Sequence, residues 1–376
     1  MAVTGVESVW AQRAAAAQEA VTERHIRRLW HIPTTALGVC AYPPTRRDRM
    51  FASWNFWWQA HLIDAVVDAH VRTGSAETAA LVHRLIRGHL VRNGFHVANQ
   101  YYDDMAWLAL ALERAQRLVG IDTDAAQRKL SVEFMRAWVP EVGGGIPWRR
   151  SDVFLNAPAN GPAAIFLARS GNRPRAREMS EWLQSRLVDA DTGLIDDGVD
   201  PNLPDGSPGK LHPEKYTYCQ GVVIGLETEL SADGDSRHAE RVGSLVQAVA
   251  EHLSHDGVVQ GAGGGDGGLF AGILLRYLAF AATSLDGDGH VHDEVRAAAR
   301  DLVLASAEAA WKGSRTVDGH VLFSADWSRD AVVPGQGGGR ARFVGGAVTS
   351  SDTPERDMSV QVSGWMAMEA AWSVSR

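Results

Sequence analysis

Cysteine is nearly absent: Cys40 and Cys219 are the only two in 376 residues. Neither lies in a metal-binding or redox spacing, so nothing demands an oxidising compartment or a thiol-held metal. Basic residues are also in deficit, with 37 Lys and Arg against 45 Asp and Glu and a formal charge of −8. A chain without a basic footprint is a poor match for nucleic acid or an anionic membrane, and neither is expected as a partner. No apolar run reaches the length of a membrane span. The opening stretch "MAVTGVESVWAQRAAAAQEAVTERHIRRLW" lacks a basic start, an apolar centre and a cleavage site. It reads as an amphipathic helix, and the expected location is cytoplasmic, or secreted if a leader precedes this chain. Alternating strand-type runs are scarce, and no helical-repeat signature recurs.

Tryptophan, by contrast, is plentiful: 13 residues, many set among Tyr, Asn, Gln and Asp in stretches that read as loops. That mixture suits a carbohydrate cleft better than an ordinary core. A hydrophobic content of 45% supports a large core, and residues 1–376 are expected to form a single domain and the protein to be a monomer. Helical-period segments fall near 6–29, 53–73, 76–94, 103–119, 122–139, 157–170, 173–188, 217–231, 235–254, 268–284, 291–312 and 358–373, twelve in all. The even-numbered ones are apolar on nearly every side: "APANGPAAIFLARS" and "GLFAGILLRYLAFAATS" carry one charge each, Arg169 and Arg276. Odd-numbered partners such as "NRPRAREMSEWLQSRLV" are charged along one face. All-apolar helices belong inside and one-faced helices outside. Six of each in alternation predict an all-α fold, an (α/α)6 barrel of six helical hairpins.

Connections leaving the inner helices are short ("GS", "GI", "GN", "SADG"), whereas several that lead into them are long: 140–156, 189–216, 255–267 and 313–357. If the inner helices run parallel, the long loops gather at one rim, around the helix N-termini. That rim is the expected site, since long loops in compact domains tend to carry function. Loop 313–357 is long enough to block one end of a cleft and make an enzyme exo-acting.

At that rim stands "YYDDMAWLALALERA", with Asp103 and Asp104 side by side before an inner helix. An ordinary reading is available, because Asp is favoured at an N-cap and in a first turn. The aromatic surroundings favour a chemical one. Two close carboxylates cannot both ionise cheaply, so their proton affinities are driven apart and one can stay charged while the other acts as an acid. Retaining glycosidases place their carboxyl groups about 5–5.5 Å apart and inverting ones about 6.5–9.5 Å. Neighbouring residues, with Cα atoms about 3.8 Å apart, reach the shorter separation more easily.

The same stretch resembles the catalytic motif of glycoside hydrolase family 76, the α-1,6-mannanases. "NFWWQAHLIDAVVDAHVRTG", "GGGIPW" with "NAPANGPAAIFLAR", "YTYCQGVVIGLETEL", "LFAGILLRYLA" and "VQVSGWMAMEAAW" resemble further blocks of that family, in its order, from about residue 50 to the end. The resemblance implies an (α/α)6 barrel and retaining hydrolysis of α-1,6-linked mannose, with Asp103 as nucleophile and Asp104 as general acid/base. It needs no metal and no other cofactor, and the fourteen His show no metal-binding grouping. Departures from the family pattern are Pro147, where a second Trp is usual, and Cys219, where Asn is usual.

Candidate substrate contacts are Trp54, Asn55, Trp58, Tyr102, Trp148, Asn156, Tyr216, Tyr218, Gln220 and Trp327, with Trp57 and Tyr101 beside them. The aromatic members would stack on sugar faces, or else pack in the core. Gln59, Asn160 and Gln220 would bind hydroxyls, or else tie loops to helix ends. Arg149 or Arg150 is a candidate contact for an anionic group on a substituted glycan, or else a solvated loop charge. "GAGGGDGG" lacks the Lys–Ser/Thr of a phosphate loop and reads as a flexible loop or tight turn, and His25, His31, His83 and His89 read as surface residues. The partner is expected to be an α-mannan or mannooligosaccharide. Alternatives are a transglycosylase of the same fold, a sugar 2-epimerase-like enzyme, which would call for paired His at the rim, and a non-catalytic glycan binder.

Overall fold

Among the described residues twelve long helices carry the fold, and the apolar segments alternate with the one-faced ones. They are α1 (Val9–His25), α2 (Phe56–Thr73), α3 (Ala76–Arg92), α4 (Tyr102–Arg114), α5 (Asp124–Ala137) and α6 (Ala157–Arg169), followed by α7 (Arg173–Leu187), α8 (Thr217–Ser231), α9 (Ser236–His252), α10 (Phe270–Ser284), α11 (His290–Lys312) and α12 (Met358–Val374). This computed structural model describes residues 8–202, 209–287, 289–336 and 338–376. Residues 6 and 7 of the first expected helix, 203–208 of loop 189–216 and 337 of loop 313–357 therefore lie outside the described residues. Local chemistry sets the ends. Gly74 closes α2 in the left-handed region, and Ser75 opens α3 by accepting from the Thr78 N–H. Helix α1 stops short of residue 29 because Ile26 and Arg27 pair with Gly38 and Leu37.

The even-numbered helices form the inner ring, each packing on the next in the order α2, α4, α6, α8, α10, α12, and α12 returns to α2. Outer helices α3, α5, α7, α9 and α11 each pack on the inner helix before them, and α1 packs on α12 to complete the sixth hairpin. The expected (α/α)6 barrel is the observed fold. Side chains of both rings merge into a continuous buried cluster that includes Trp58, Phe166 and Trp365. Burial of one such side chain contributes roughly 1.5–3 kcal/mol. His25 and His89 belong to this interior and not to the surface: both are fully buried, and burial drives their pKa values down to about 4 and about 3. His31 and His83 are exposed.

One device recurs around the ring. Gln59, Asn160, Gln220 and Gln361 are each the fourth residue of an inner helix. Each side-chain amide grips both backbone groups of one loop residue: Gln59 that of Gly38, Asn160 of Ile146, Gln220 of Ile195 and Gln361 of Phe323, at 2.7–3.0 Å. The same amide nitrogens also donate to carbonyls at or just before the start of their own helices. These clamps satisfy buried backbone groups that would otherwise lie unpaired. Helices α4 and α10 have Met105 and Ile273 at that position instead.

Short antiparallel hairpins decorate the loops, among them Arg315–Val317 with His320–Leu322 and Arg342–Val344 with Ala347–Thr349. A three-stranded sheet joins Leu155–Asn156, Gly198–Asp200 and Lys210–His212. At the opposite rim, where the inner helices end, Arg114 and Arg276 each bridge Asp64 and Asp68. Burial pushes the Asp64 carboxyl up, but the two guanidiniums more than reverse this and hold it below its ordinary value.

Candidate active site

A cavity of about 400 Å³ opens at the N-terminal rim of the inner ring, lined by Asp103, Asp104, Asp197 and Asp266 among aromatic side chains. Its size is that of a small-molecule site. Helix α4 supplies the first two acids in its opening turn. The N-cap position belongs to Tyr101, which makes no side-chain capping bond. Both aspartates face the cavity.

Their partners differ. Asp103 accepts from the Trp148 indole Nε1 at 3.0 Å through one oxygen and from the Asp104 backbone N–H at 2.8 Å through the other. Asp104 accepts from the Asn99 side-chain amide, and Asn99 is itself held by the Tyr101 N–H at 2.8 Å. Loop 146–156 is zipped to the front of α4 by a Tyr102 N–H bond to the Trp148 carbonyl, 2.8 Å long, which puts the Trp148 ring beside Asp103. Asp266 precedes α10 in a short 3-10 turn. It accepts from Trp57 Nε1 (2.9 Å), Trp58 Nε1 (2.8 Å) and the Val348 N–H (2.6 Å).

Burial raises the proton affinity of all four acids. Asp103 is pushed up to about 7 by burial and by the charge of Asp266, against the opposing pull of its two N–H donors. Burial and the adjacent Asp103 hold Asp104 well above the ordinary carboxylate range, with Asp266 adding to the effect and Asn99 opposing it. Burial likewise raises Asp266, against its three donors. Asp197 rises to about 6 through burial and Glu214, opposed by His212 and by the Cys219 thiol, which donates to it at 3.9 Å. The arrangement can hold one carboxylate ionised beside a protonated neighbour and present both to a ligand pressed against aromatic rings. Tyr218 stacks on Phe270 with centroids 3.9 Å apart, and Trp57 and Trp107 pack around His61, which burial keeps neutral.

Of the residues expected to touch substrate, Asn55, Trp148, Asn156, Tyr216 and Tyr218 line the cavity, as do Trp57 and Tyr101. Five others do not. Trp54 packs edge-on against Phe56 and His89 and lies under the Arg92 guanidinium. Trp58 is fully buried and reaches the site only through its bond to Asp266. Tyr102 turns to the flank of α4 beneath Arg150, Gln220 is spent on its clamp, and Trp327 is buried in the core. Neither arginine offered for an anionic group reaches the cavity: Arg149 pairs with Asp152 and lies over Trp148, and Arg150 pairs with Glu133. Among the described residues lining it there is no Lys, Arg or His, so the paired His of an epimerase-like site is not found there.

Sequence reasoning missed Asp197, Asp266, Trp107, Phe154, Phe270 and the hairpin residues Phe343, Gly346, Ala347 and Val348. Trp107 had a signal, since it lies one turn after Asp103 on the same helical face. Asp266 had one too, as an acid leading into an inner helix. It sits in "GAGGGDGG", which forms the tight turn of the two readings: Gly265–Leu269 is a 3-10 turn, Gly265 is bonded by Asp357 and Ser359, and a Cβ there would fall 2.2 Å from the Val348 carbonyl oxygen.

The profile of glycosyl hydrolase family 76 matches residues 13–345. Among solved structures, the GH76A α-1,6-mannanase from Salegentibacter sp. HEL1_6 superposes with a TM-score of 0.80 at 27% identity, over 97% of this chain and 99% of that one. An inactive variant of that mannanase, with two consecutive aspartates changed to asparagine and in complex with α-1,6-mannotriose, gives 0.78 at 27% identity over 96% and 98%. The mannosidase Bt3792 from Bacteroides thetaiotaomicron shares the fold at 14% identity, with a TM-score of 0.74 over 98% of each chain. No curated protein sequence matches.

Proposed function

This chain belongs to glycoside hydrolase family 76, and from that premise we propose that it hydrolyses α-1,6-linked mannosides with net retention, using Asp103 as nucleophile and Asp104 as general acid/base. One observation carries the reading: adjacent acids with unequal partners on the wall of an aromatic cavity. Two N–H donors favour the charged form of Asp103, while Asp104, bonded by the Asn99 amide and the Trp57 N–H, faces the like charges of Asp103 and Asp266, which with burial hold it well above the ordinary carboxylate range and suit it to carry the proton. A retaining cycle needs that division. Asp103 attacks the anomeric carbon as the bond to the leaving oxygen breaks, and Asp104 gives its proton to that oxygen. In the second step Asp104 takes a proton from water, the water oxygen bonds to the anomeric carbon, and the Asp103 ester is released as carboxylate. Support for the linkage comes from the Salegentibacter enzyme, which carries the name α-1,6-mannanase and is inactive when two consecutive aspartates are changed.

The test is NMR of the first product formed from α-1,6-mannooligosaccharides. The α-anomer should appear first. Asp104→Asn should lose about 10²–10⁴-fold in rate, as expected for removal of a proton-transfer group, and Asp103→Asn should be inactive. First appearance of the β-anomer, or full activity in both variants, overturns the mechanism.

A further inference from the structure

The hairpin that precedes α12 bears on how a polymer reaches the acids. Its strands, Arg342–Val344 and Ala347–Thr349, pair in register, and Phe343, Gly346, Ala347 and Val348 line the same cavity as Asp103 and Asp104. On one side the Val348 N–H donates to Asp266, which leads into α10. On the other, the Phe343 ring meets Tyr101 edge-on at 6.4 Å, and the turn lies on Trp148, so close that a Cβ on Gly346 would fall 2.4 Å from the indole. Tyr101 is the N-cap of α4, and Trp148 is zipped to α4. In the ring order α2, α4, α6, α8, α10, α12, helices α4 and α10 are three steps apart in either direction, so they stand on opposite sides. The hairpin therefore reaches over the cavity from the turn that leads into α10 to the start of α4.

It is also held firmly. Gly345 and Gly346 form its turn with φ of 65° and 111°, a two-residue connection that suits the twist of a hairpin. At its base the Ala341 N–H donates to Ser351 Oγ at 2.9 Å and the Gly339 N–H to Asp352 at 2.7 Å. Phe343 and Val344 are about two-thirds exposed, so they face whatever approaches the rim.

We propose that this hairpin is a fixed strap which makes the protein act at the ends of mannan chains. The inference rests on the mannoside-hydrolase reading above. A glycan laid across the rim would strike the strap before any internal linkage reached Asp103. An end can pass beneath it from the side of Asp197, Tyr216 and Tyr218, which line the cavity and are not among the strap's anchors.

The experiment follows linear α-1,6-mannan by size-exclusion chromatography while its reducing ends are counted. With wild type, short sugars should accumulate while the polymer peak stays in place. Replacing Arg342–Ala347 by Gly-Gly should shift the polymer peak to small sizes at the same count of reducing ends. A second measurement on wild type alone guards against a shortened chain that does not fold: mannan with chemically blocked ends should lose most of its turnover. Early collapse of the polymer peak under wild type, or undiminished turnover of blocked mannan, overturns the strap. If wild type releases nothing from mannan or from short mannooligosaccharides, the hydrolase reading fails first and the strap falls with it.

Discussion

Trp148 is the residue through which the loop 146–156 acts on the chemistry. Its indole N–H donates to Asp103 at 3.0 Å, and a bond to a charged acceptor is worth about 1.5–3 kcal/mol, where one pKa unit is about 1.4 kcal/mol. The donor favours ionised Asp103, so Trp148→Phe should raise its pKa beyond the present value of about 7. The limb of the pH profile that reports ionised Asp103 should then move up by about one to two units, which kcat/KM against pH will show. A profile of unchanged shape with a lower plateau would leave Trp148 a stacking surface only. The acid pair was readable from the sequence because like charges side by side are costly unless used. Which aromatics reach the cavity was not, since the neighbours Trp57 and Trp58 both donate to Asp266, yet one lines the cavity and the other is fully buried.

At the scale of elements, the four amide clamps form a repeat hidden in the sequence, a Gln or Asn at the fourth position of α2, α6, α8 and α12. The two inner helices without a clamp, α4 and α10, are those whose starts bring Asp103, Asp104 and Asp266 to the cavity. Gln220→Leu should leave the N–H and C=O of Ile195 unpaired, two buried groups at about 1–3 kcal/mol each. Denaturant titration should show a loss of roughly 2–6 kcal/mol, and a loss under about 0.5 kcal/mol would mean that the loop finds other partners. Helix number and alternation were legible because long segments carry many periods. The hairpins were not, since strands of two or three residues contain too few alternations to register.

Across the whole molecule, the acidic mouth is matched by an ionic base. Arg276, one of the lone charges that marked the inner helices in the sequence, bridges Asp64 and Asp68 there with Arg114. Removing one partner from a buried pair costs about 3–5 kcal/mol, so Arg276→Met should destabilise the fold by that order at pH 7. The sign with pH follows from Asp64, whose folded pKa lies below its ordinary value. Its contribution is present above the unfolded pKa and fades as pH falls through the folded one. Thermal unfolding should accordingly show the variant's deficit narrowing in acid; a deficit independent of pH would assign it to packing. The barrel itself was legible from the alternation of helices. The strap was not, because its meaning lies in which helices it joins, and only the closed ring shows them to be opposite.

That closure has a consequence for synthesis. The inward face of α1, with Ala14, Ala17, Ala20 and Val21, packs chiefly on α12, which starts only at Met358. On the ribosome the first helix must therefore wait, apolar side uncovered, until the last has emerged. Pairing across so great a sequence distance is slow, so during translation α1 keeps that apolar face uncovered until α12 is made.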